Sequence, residues 1–421
     1  MRKRRPAEVL ACTIVLIAMS SVSGQDWPQW RGSNRDATVS GFNAPKTWPK
    51  QLTQKWKVNV GGGDASPALV GDKLYVFTRE DPDEVIRCLD AASGKQIWQD
   101  KYEVAAATPP SGGLHPGPRS SPSVADGKVV TLGVRGTLSC NDAATGKNLW
   151  RREDFHTWPR FFTGSSPIVV DGLCIAQLGG TSNGALVAYD LNSGEEKWRW
   201  AGGCPGYASP VLLTVEGAKL IVAQTDSKIA AVAATDGKPV WEASFPAQRM
   251  NYNASTPIVD GRTLIYGGGG RGERAVKFEK QGERFTAKEV WANRDESVQF
   301  NSPVLVGGVV YGLTQENKFF ALDARTGHAD WTAPAGGQAP GGGGGRGGRS
   351  RGGYGSIVAA GSVLIALTPS AELIVIEPSN KNYTELARIK VADSATYAYP
   401  IVSENRIYIK DQKSLALWTI E

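Results

Sequence analysis

Apolar residues in this chain come in runs of about three to seven, and turn residues interrupt them at short intervals. Between residues 68 and 89 the runs ALV, LYVF and VIRCL follow one another, separated by Gly-Asp-Lys and by a charged turn around Asp81-Pro82. Similar triplets recur further on, with VVTL, LIYG and VVYG as second runs. No stretch sustains the three-and-four spacing of an amphipathic helix. Short apolar runs bounded by Gly, Asp, Asn and Pro predict strands, so the chain reads as all-β.

A phrase punctuates these strands. LDAASGKQIW (89–98) returns as NDAATGKNLW (141–150), YDLNSGEEKW (189–198) and LDARTGHADW (322–331), and in weaker form as VAATDGKPVW (232–241). Each residue type has a physical reason. Asp90, Asp142, Asp190 and Asp323 can accept hydrogen bonds from turn N–H groups. Gly94, Gly146, Gly194, Gly237 and Gly327 supply a positive φ at the turn. Trp98, Trp150, Trp198, Trp241 and Trp331 follow four residues later. An indole buries on the order of 150–250 Å², enough to cement one sheet onto the next. A stacking ladder for sugars is the other use of such a pattern.

Each unit opens at Ser-Pro or a variant: Pro67, Pro122, Pro167, Pro210, Pro257, Pro303 and Pro400. From Pro67 to Pro303 the spacing is 43 to 55 residues; the last gap hides a degenerate unit in which Ile357 replaces the proline. That makes eight starts. The final unit ends about one strand short, near Trp418, and QKWKVNV (54–60), with Trp56, precedes the first start. The expected fold is an eight-bladed β-propeller of four-stranded antiparallel blades, its N-terminal strand closing the last blade and protecting the sheet edges.

Residues 1–24 read differently. Arg2, Lys3, Arg4 and Arg5 precede an apolar core at 9–19 and small residues up to Gly24. This is the pattern of a cleavable signal peptide, which leaves one propeller domain over 25–421, periplasmic or extracellular, with no transmembrane segment. Cleavage removes four of the positive charges and Glu8, and the remaining charge is too mild to point to nucleic acid. Cys88, Cys140, Cys174 and Cys204 remain. The first two occupy equivalent repeat positions and read as buried small residues; a Cys174–Cys204 bridge stays open.

The Asp-x-x-Thr-Gly-Lys-x-x-Trp phrase resembles the repeat of the pyrroloquinoline-quinone (PQQ) propeller superfamily. That superfamily includes quinoprotein alcohol dehydrogenases and the outer-membrane assembly lipoprotein BamB. DWPQWRGSNRDATVSG (26–41) also resembles the opening of secreted PQQ-like repeat proteins. The resemblance implies the fold over residues 26–421. For activity it implies two classes: a non-catalytic binding or protein-interaction scaffold, BamB-like in architecture and monomeric, or a PQQ-dependent alcohol or sugar dehydrogenase.

The dehydrogenases use adjacent cysteines, a Ca²⁺ held by acidic and amide side chains, and an Asp base. This sequence has no adjacent cysteines and no acidic cluster of the kind Ca²⁺ needs. His115, His156 and His328 make no zinc pattern. In a propeller the loops leading into the inner strands share a face with the second-to-third-strand turns, and that face is the expected ligand site. It carries Arg119, Arg160, Asn253 and Asn301, the candidate contacts for PQQ with Ca²⁺, and beside them His115, Tyr207, Asn251 and Tyr397. The same face suits a protein or polymeric partner.

One stretch breaks the rhythm. Residues 333–355 are Gly- and Arg-rich and read as a flexible inserted loop, or as a docking arm for an acidic partner. The run resembles an Arg-Gly-Gly nucleic-acid box, but an exported chain does not meet RNA.

Overall fold

The computed structural model describes residues 25–108, 115–248, 252–336 and 354–421. The predicted signal at 1–24, residues 337–353 of the Gly/Arg-rich stretch, and Arg249 and Asn251 lie outside them. Among the described residues there are strands and turns and no α-helix.

The first blade shows the plan. A short inner strand, Ala68–Val70, pairs with Lys73–Glu80, then Asp83–Asp90, then the outer strand Gln96–Glu103, all antiparallel. Blades two to seven repeat it, with inner strands beginning at Ser123, Ile168, Val211, Ile258, Val304 and Ser356. The eighth blade takes Ile401–Ser403, Arg406–Lys410 and Ser414–Thr419 from the C-terminus. Its outer strand is Thr53–Asn59, paired antiparallel to Ser414–Thr419 with Trp56 opposite Leu417. The two ends of the described chain therefore close one ring.

The repeat phrase now has a geometry. Asp142 Oδ1 accepts the Thr145 N–H at 2.8 Å and the Thr145 hydroxyl at 2.8 Å; Asp90, Asp190 and Asp323 do the same with Ser93, Ser193 and Thr326. Gly146 takes φ 77°. Every outer strand then shows a register shift one residue before the Trp position. Such a bulge re-aims the residue that follows. It turns the indole toward the next blade and leaves the bulged residue outside, which accounts for the exposed Ile97, Leu149, Val290 and Leu386.

Each indole docks on the neighbouring turn. Trp98 Nε1 donates to Ala143 O at 3.1 Å, Trp150 to Leu191 O at 3.0 Å, Trp198 to Ala234 O at 3.0 Å and Trp331 to Ser379 O at 2.7 Å. Trp56 bonds Ala91 O at 3.2 Å and so latches blade eight to blade one. Trp241 has no such turn to meet, because blade five carries a longer hairpin, Gly272–Gln281 and Arg284–Asn293. It packs edge-on against Phe278 instead, with centroids 5.1 Å apart. Trp291, outside every copy of the phrase, is blade five's own latch and donates to Ala324 O of blade six at 2.8 Å.

All four described cysteines are unpaired and buried. Burial pushes the Cys88 and Cys140 thiols up to about 12, so both stay protonated.

The N-terminal segment does what the pattern of strands did not announce. Residues 26–39 run into the central channel from the side of the first-to-second-strand turns. Trp27 exchanges backbone hydrogen bonds with Leu69, and Val124 N donates to Pro28 O. Thr38–Val39 adds a parallel fifth strand inside Ser356–Ala360. The segment also bonds blades three, five, six and eight through Arg35, Trp30 and Arg31. The channel is filled.

Candidate ligand-binding mouth

At the opposite end of the axis the loops that lead into the inner strands gather into a mouth, the cup. Its rim comes from the residue three places before each inner-strand proline or its equivalent: Asp64, Arg119, Gly164, Tyr207, Ala254, Phe300, Tyr354 and Tyr397. The loops are held in place by the second-to-third-strand turns beside them, as where Gly62 and Arg79 exchange backbone hydrogen bonds.

Where the rim residue is small, a neighbour fills the place. Phe161 and Tyr252 stand beside Gly164 and Ala254 and pack with Tyr207, the Phe161–Tyr252 centroids 4.8 Å apart and the Tyr207–Tyr252 centroids 6.0 Å apart. Tyr207 Oη accepts the Phe161 N–H at 3.0 Å, and burial pushes its phenol up to about 12. Across the cup Phe300 stacks on Tyr354 at 4.4 Å and 6°, and Tyr354 meets Tyr397 edge-on at 5.6 Å. All six rings are half-buried. The rim is aromatic on two sides.

The third side is charged. His115 Nδ1 lies 2.5 Å from Asp64 Oδ2, and its ring packs edge-on against Tyr397 at 4.9 Å. Arg119 donates to Phe161 O at 2.5 Å and to His115 O at 2.9 Å, bridging the charged and aromatic sides. Burial lowers its pKa while Asp64 opposes the shift. Beneath lies Lys410, 1% exposed, which donates to Gly63 O and to Asp411 O. Desolvation pulls its ammonium down to about 8.

The other candidate residues lie in two kinds of place. Arg160 is exposed at the rim, its guanidinium 5.5 Å from the Phe161 centroid. Asn253 and Asn301 are buried with their amides engaged by backbone. Asn253 Nδ2 donates to Thr225 O at 2.7 Å and Phe245 O at 3.0 Å, and its Oδ1 accepts from Arg271. Asn301 Nδ2 donates to Leu313 O at 2.5 Å and its Oδ1 accepts from Leu313 N at 3.4 Å. Both shape the loops. The structure thus brings Arg119 and Arg160 together around Phe161 and sets the two amides behind the rim. Phe161, Tyr252, Phe300, Tyr354 and Lys410 escaped the sequence reading. The signal was present, as an aromatic three places before four of the strand starts.

Below the cup the Ser-Pro starts form an annulus. Ser121 N donates to Ser166 Oγ at 2.9 Å, Ser166 N to Ser209 Oγ at 2.9 Å, Ser209 N to Thr256 Oγ1 at 3.2 Å, and Thr256 N to Ser302 Oγ at 2.8 Å. Tyr399 N continues it to Ser66 Oγ at 2.7 Å. Among the described residues, no three His, Cys, Asp or Glu side chains are placed to hold a metal ion.

Fold and mouth together define an eight-bladed propeller of PQQ-like repeats whose inner strands are bridged by the N-terminal segment. The sequence profile of the family described as outer membrane protein assembly factor BamB matches residues 82–333, and the chain belongs to that family. It is 26% identical over 300 residues to the outer membrane protein assembly factor BamB of Burkholderia pseudomallei, covering 66% of this chain and 68% of that one. It is 29% identical over 190 residues to the quinohemoprotein alcohol dehydrogenase of Comamonas testosteroni, but this is only 25% of the enzyme's length. Among solved structures it resembles BamB from Moraxella catarrhalis, with TM-score 0.62, 17% identity and coverage of 88% of this chain and 100% of that one. The Comamonas enzyme gives 0.68 at 15% identity, over 94% of this chain and 80% of the enzyme. At these identities the structures speak for the fold alone.

Proposed function

We propose that the protein is an exported, monomeric, non-catalytic propeller whose cup binds a protein partner. The observation that carries this reading is the composition of the rim. Six half-buried aromatic rings with Arg119 and Arg160 among them have the chemistry of interface anchors, which are enriched in Tyr, Trp and Arg and gather in partly desolvated recesses. Relatives named as outer membrane protein assembly factors agree with a role in holding other proteins. The basic, apolar and small-residue order of the first 24 residues supports export.

The rival reading is a PQQ-dependent dehydrogenase, favoured by the partial match to the Comamonas enzyme. Calcium chemistry needs several oxygen ligands. Among the described rim residues Asp64 is the one carboxylate and lies against His115, and Asn253 and Asn301 are turned to backbone carbonyls. This donor set does not fit the group.

A photo-crosslinking residue at Tyr207 or Tyr397 is expected to capture a discrete protein in the producing cell, while one at Asp126 or Glu216, in turns of the opposite face, is not. Equal capture from both faces would remove the cup from the proposal. Titration with PQQ plus Ca²⁺ and a dye-linked dehydrogenase assay are expected to show no turnover; micromolar binding with turnover would replace this reading by its rival.

A further inference from the structure

The segment that fills the channel meets itself at its two ends. Gln25 Oε1 accepts the Ser40 N–H and, at 3.0 Å, the Ser40 hydroxyl. Blades hold both sides of this contact. Asp26 Oδ1 accepts the Gly71 N–H at 2.8 Å, and Trp27 exchanges backbone hydrogen bonds with Leu69, which anchors residue 25 to blade one. Thr38–Val39 pairs with Ala359 and Ala360 of blade seven, which anchors residue 40. The ring therefore brings the two side chains together. Only the oxygen of the Gln25 amide is used; its nitrogen donates to no described residue.

Two donors fixed on one carbonyl oxygen are the arrangement that stabilises the oxyanion of a tetrahedral intermediate. Gln25 Cδ is thus an activated electrophile, and the same residue supplies a nucleophile. The expected export signal ends at Gly24, and its removal frees the α-amine of Gln25. Amine and Cδ belong to one side chain and its backbone, so attack needs no encounter and closes a lactam ring.

We propose that Gln25 cyclises to pyroglutamate on the folded protein with Ser40 as the oxyanion cradle, a step that rests on the signal cleavage in the export reading above. The α-nitrogen attacks Cδ, and the oxyanion forms on Oε1 between the Ser40 N–H and O–H. The Cδ–Nε2 bond then breaks, the proton lost by the amine passes to the departing nitrogen, and ammonia leaves. No oxidant or cofactor takes part. The lactam keeps Oε1 and both of its donors, while the nitrogen that leaves held no described partner. The end of the channel segment loses its charge and its free amine. Ser40 touches the reacting carbonyl; Asp26 and Val39 position it from either side.

Two measurements test this. In the first, the amino-terminal peptide of the protein exported by the producing cell is read by mass spectrometry. It is expected to start at residue 25 and to weigh one ammonia less than its sequence. A start elsewhere removes the cleavage and this proposal with it; a start at intact Gln25 leaves the export reading standing and overturns the proposal alone. In the second, a site-specific protease frees Gln25 in vitro from a chain carrying a removable leader in place of residues 1–24, and ammonia loss is followed in time. The folded protein is expected to cyclise about tenfold faster than the same chain in urea, and Ser40→Ala to lose about that factor. Ser40 is exposed, so the variant keeps the fold, and the comparison in urea uses the wild-type chain. A folded rate no faster than that in urea, or one unchanged by Ser40→Ala, is the ordinary chemistry of a terminal glutamine and overturns the cradle.

Discussion

Gly146 does two jobs that no other residue type can do together. Its φ of 77° is left-handed, and a Cβ there would lie 2.5 Å from the Trp98 ring. The same pairing recurs at Gly94 against Trp56 and Gly194 against Trp150. Gly127 has a similar φ of 71° with nothing within 4 Å of the added atom. The two effects can therefore be separated. Gly127→Ala should cost about 1 kcal/mol, the conformational term alone. Gly146→Ala should cost about 2–5 kcal/mol, since overpacking adds to it. Urea midpoints of the two variants check this; equal losses would mean that the indole moves aside freely. The sequence showed the Asp, Gly and Trp of this device because all three repeat. It did not show why the spacing from Gly to Trp is four, which follows from the bulge.

Blade five shows how an element departs from its repeat. Its long hairpin lacks the Asp-x-x-Thr-Gly turn, so Trp241 of blade four has no turn to meet, while blade five keeps its own latch to blade six through Trp291. The same blade buries a carboxyl. Glu273 is 2% exposed, one of its oxygens has no partner, and a Cβ at the facing Gly267 would collide with it. Desolvation raises its pKa from 4.5 to about 8, against a backbone hydrogen bond from Val298 and the charge of Arg271. The folded chain thus keeps this proton through a window in which the unfolded chain has lost it. The stability it contributes is full below pH 4.5 and is lost as pH rises toward 8, at up to about 1.4 kcal/mol per pH unit. Glu273→Gln should flatten the fall of the thermal midpoint between pH 5 and pH 8. Parallel slopes in variant and wild type would show that the carboxyl is ionised throughout. Nothing in the sequence marks Glu273, because burial of a lone carboxyl depends on how two blades meet.

At the scale of the molecule the N-terminus closes the ring twice, once at the outer edge of blade eight and once on the axis. Thr53–Asn59 completes blade eight, and residues 26–39 fill the channel. The two can be uncoupled. Removing residues 25–42 while keeping 53–59 should leave the outer Trp latches intact, since none of them touches the segment. The inner strands lose Trp27, which is 1% exposed, and the parallel strand Thr38–Val39. At ~25 cal/mol per Å² one buried indole is worth on the order of 4–6 kcal/mol as an upper figure. Backbone amides of residues 68–70 and 357–360 should therefore exchange more than tenfold faster in hydrogen-exchange measurements. Unchanged protection would mean that the blades hold their inner strands without the segment.

By itself the sequence determined the blade, the number of blades and the strand that closes them. These rest on local rules repeated many times: strand-length apolar runs, a turn that needs Asp and Gly, and an indole at a fixed interval. Repetition lets weak signals add. The cup and the axis were decided by tertiary structure alone. Arg119, Asp64, His115 and Phe161 come from three different loops, and Arg31 reaches Pro303 across 272 residues of chain. Such residues occur once each, so no periodicity exposes them, and their meeting is fixed only when eight blades share one axis.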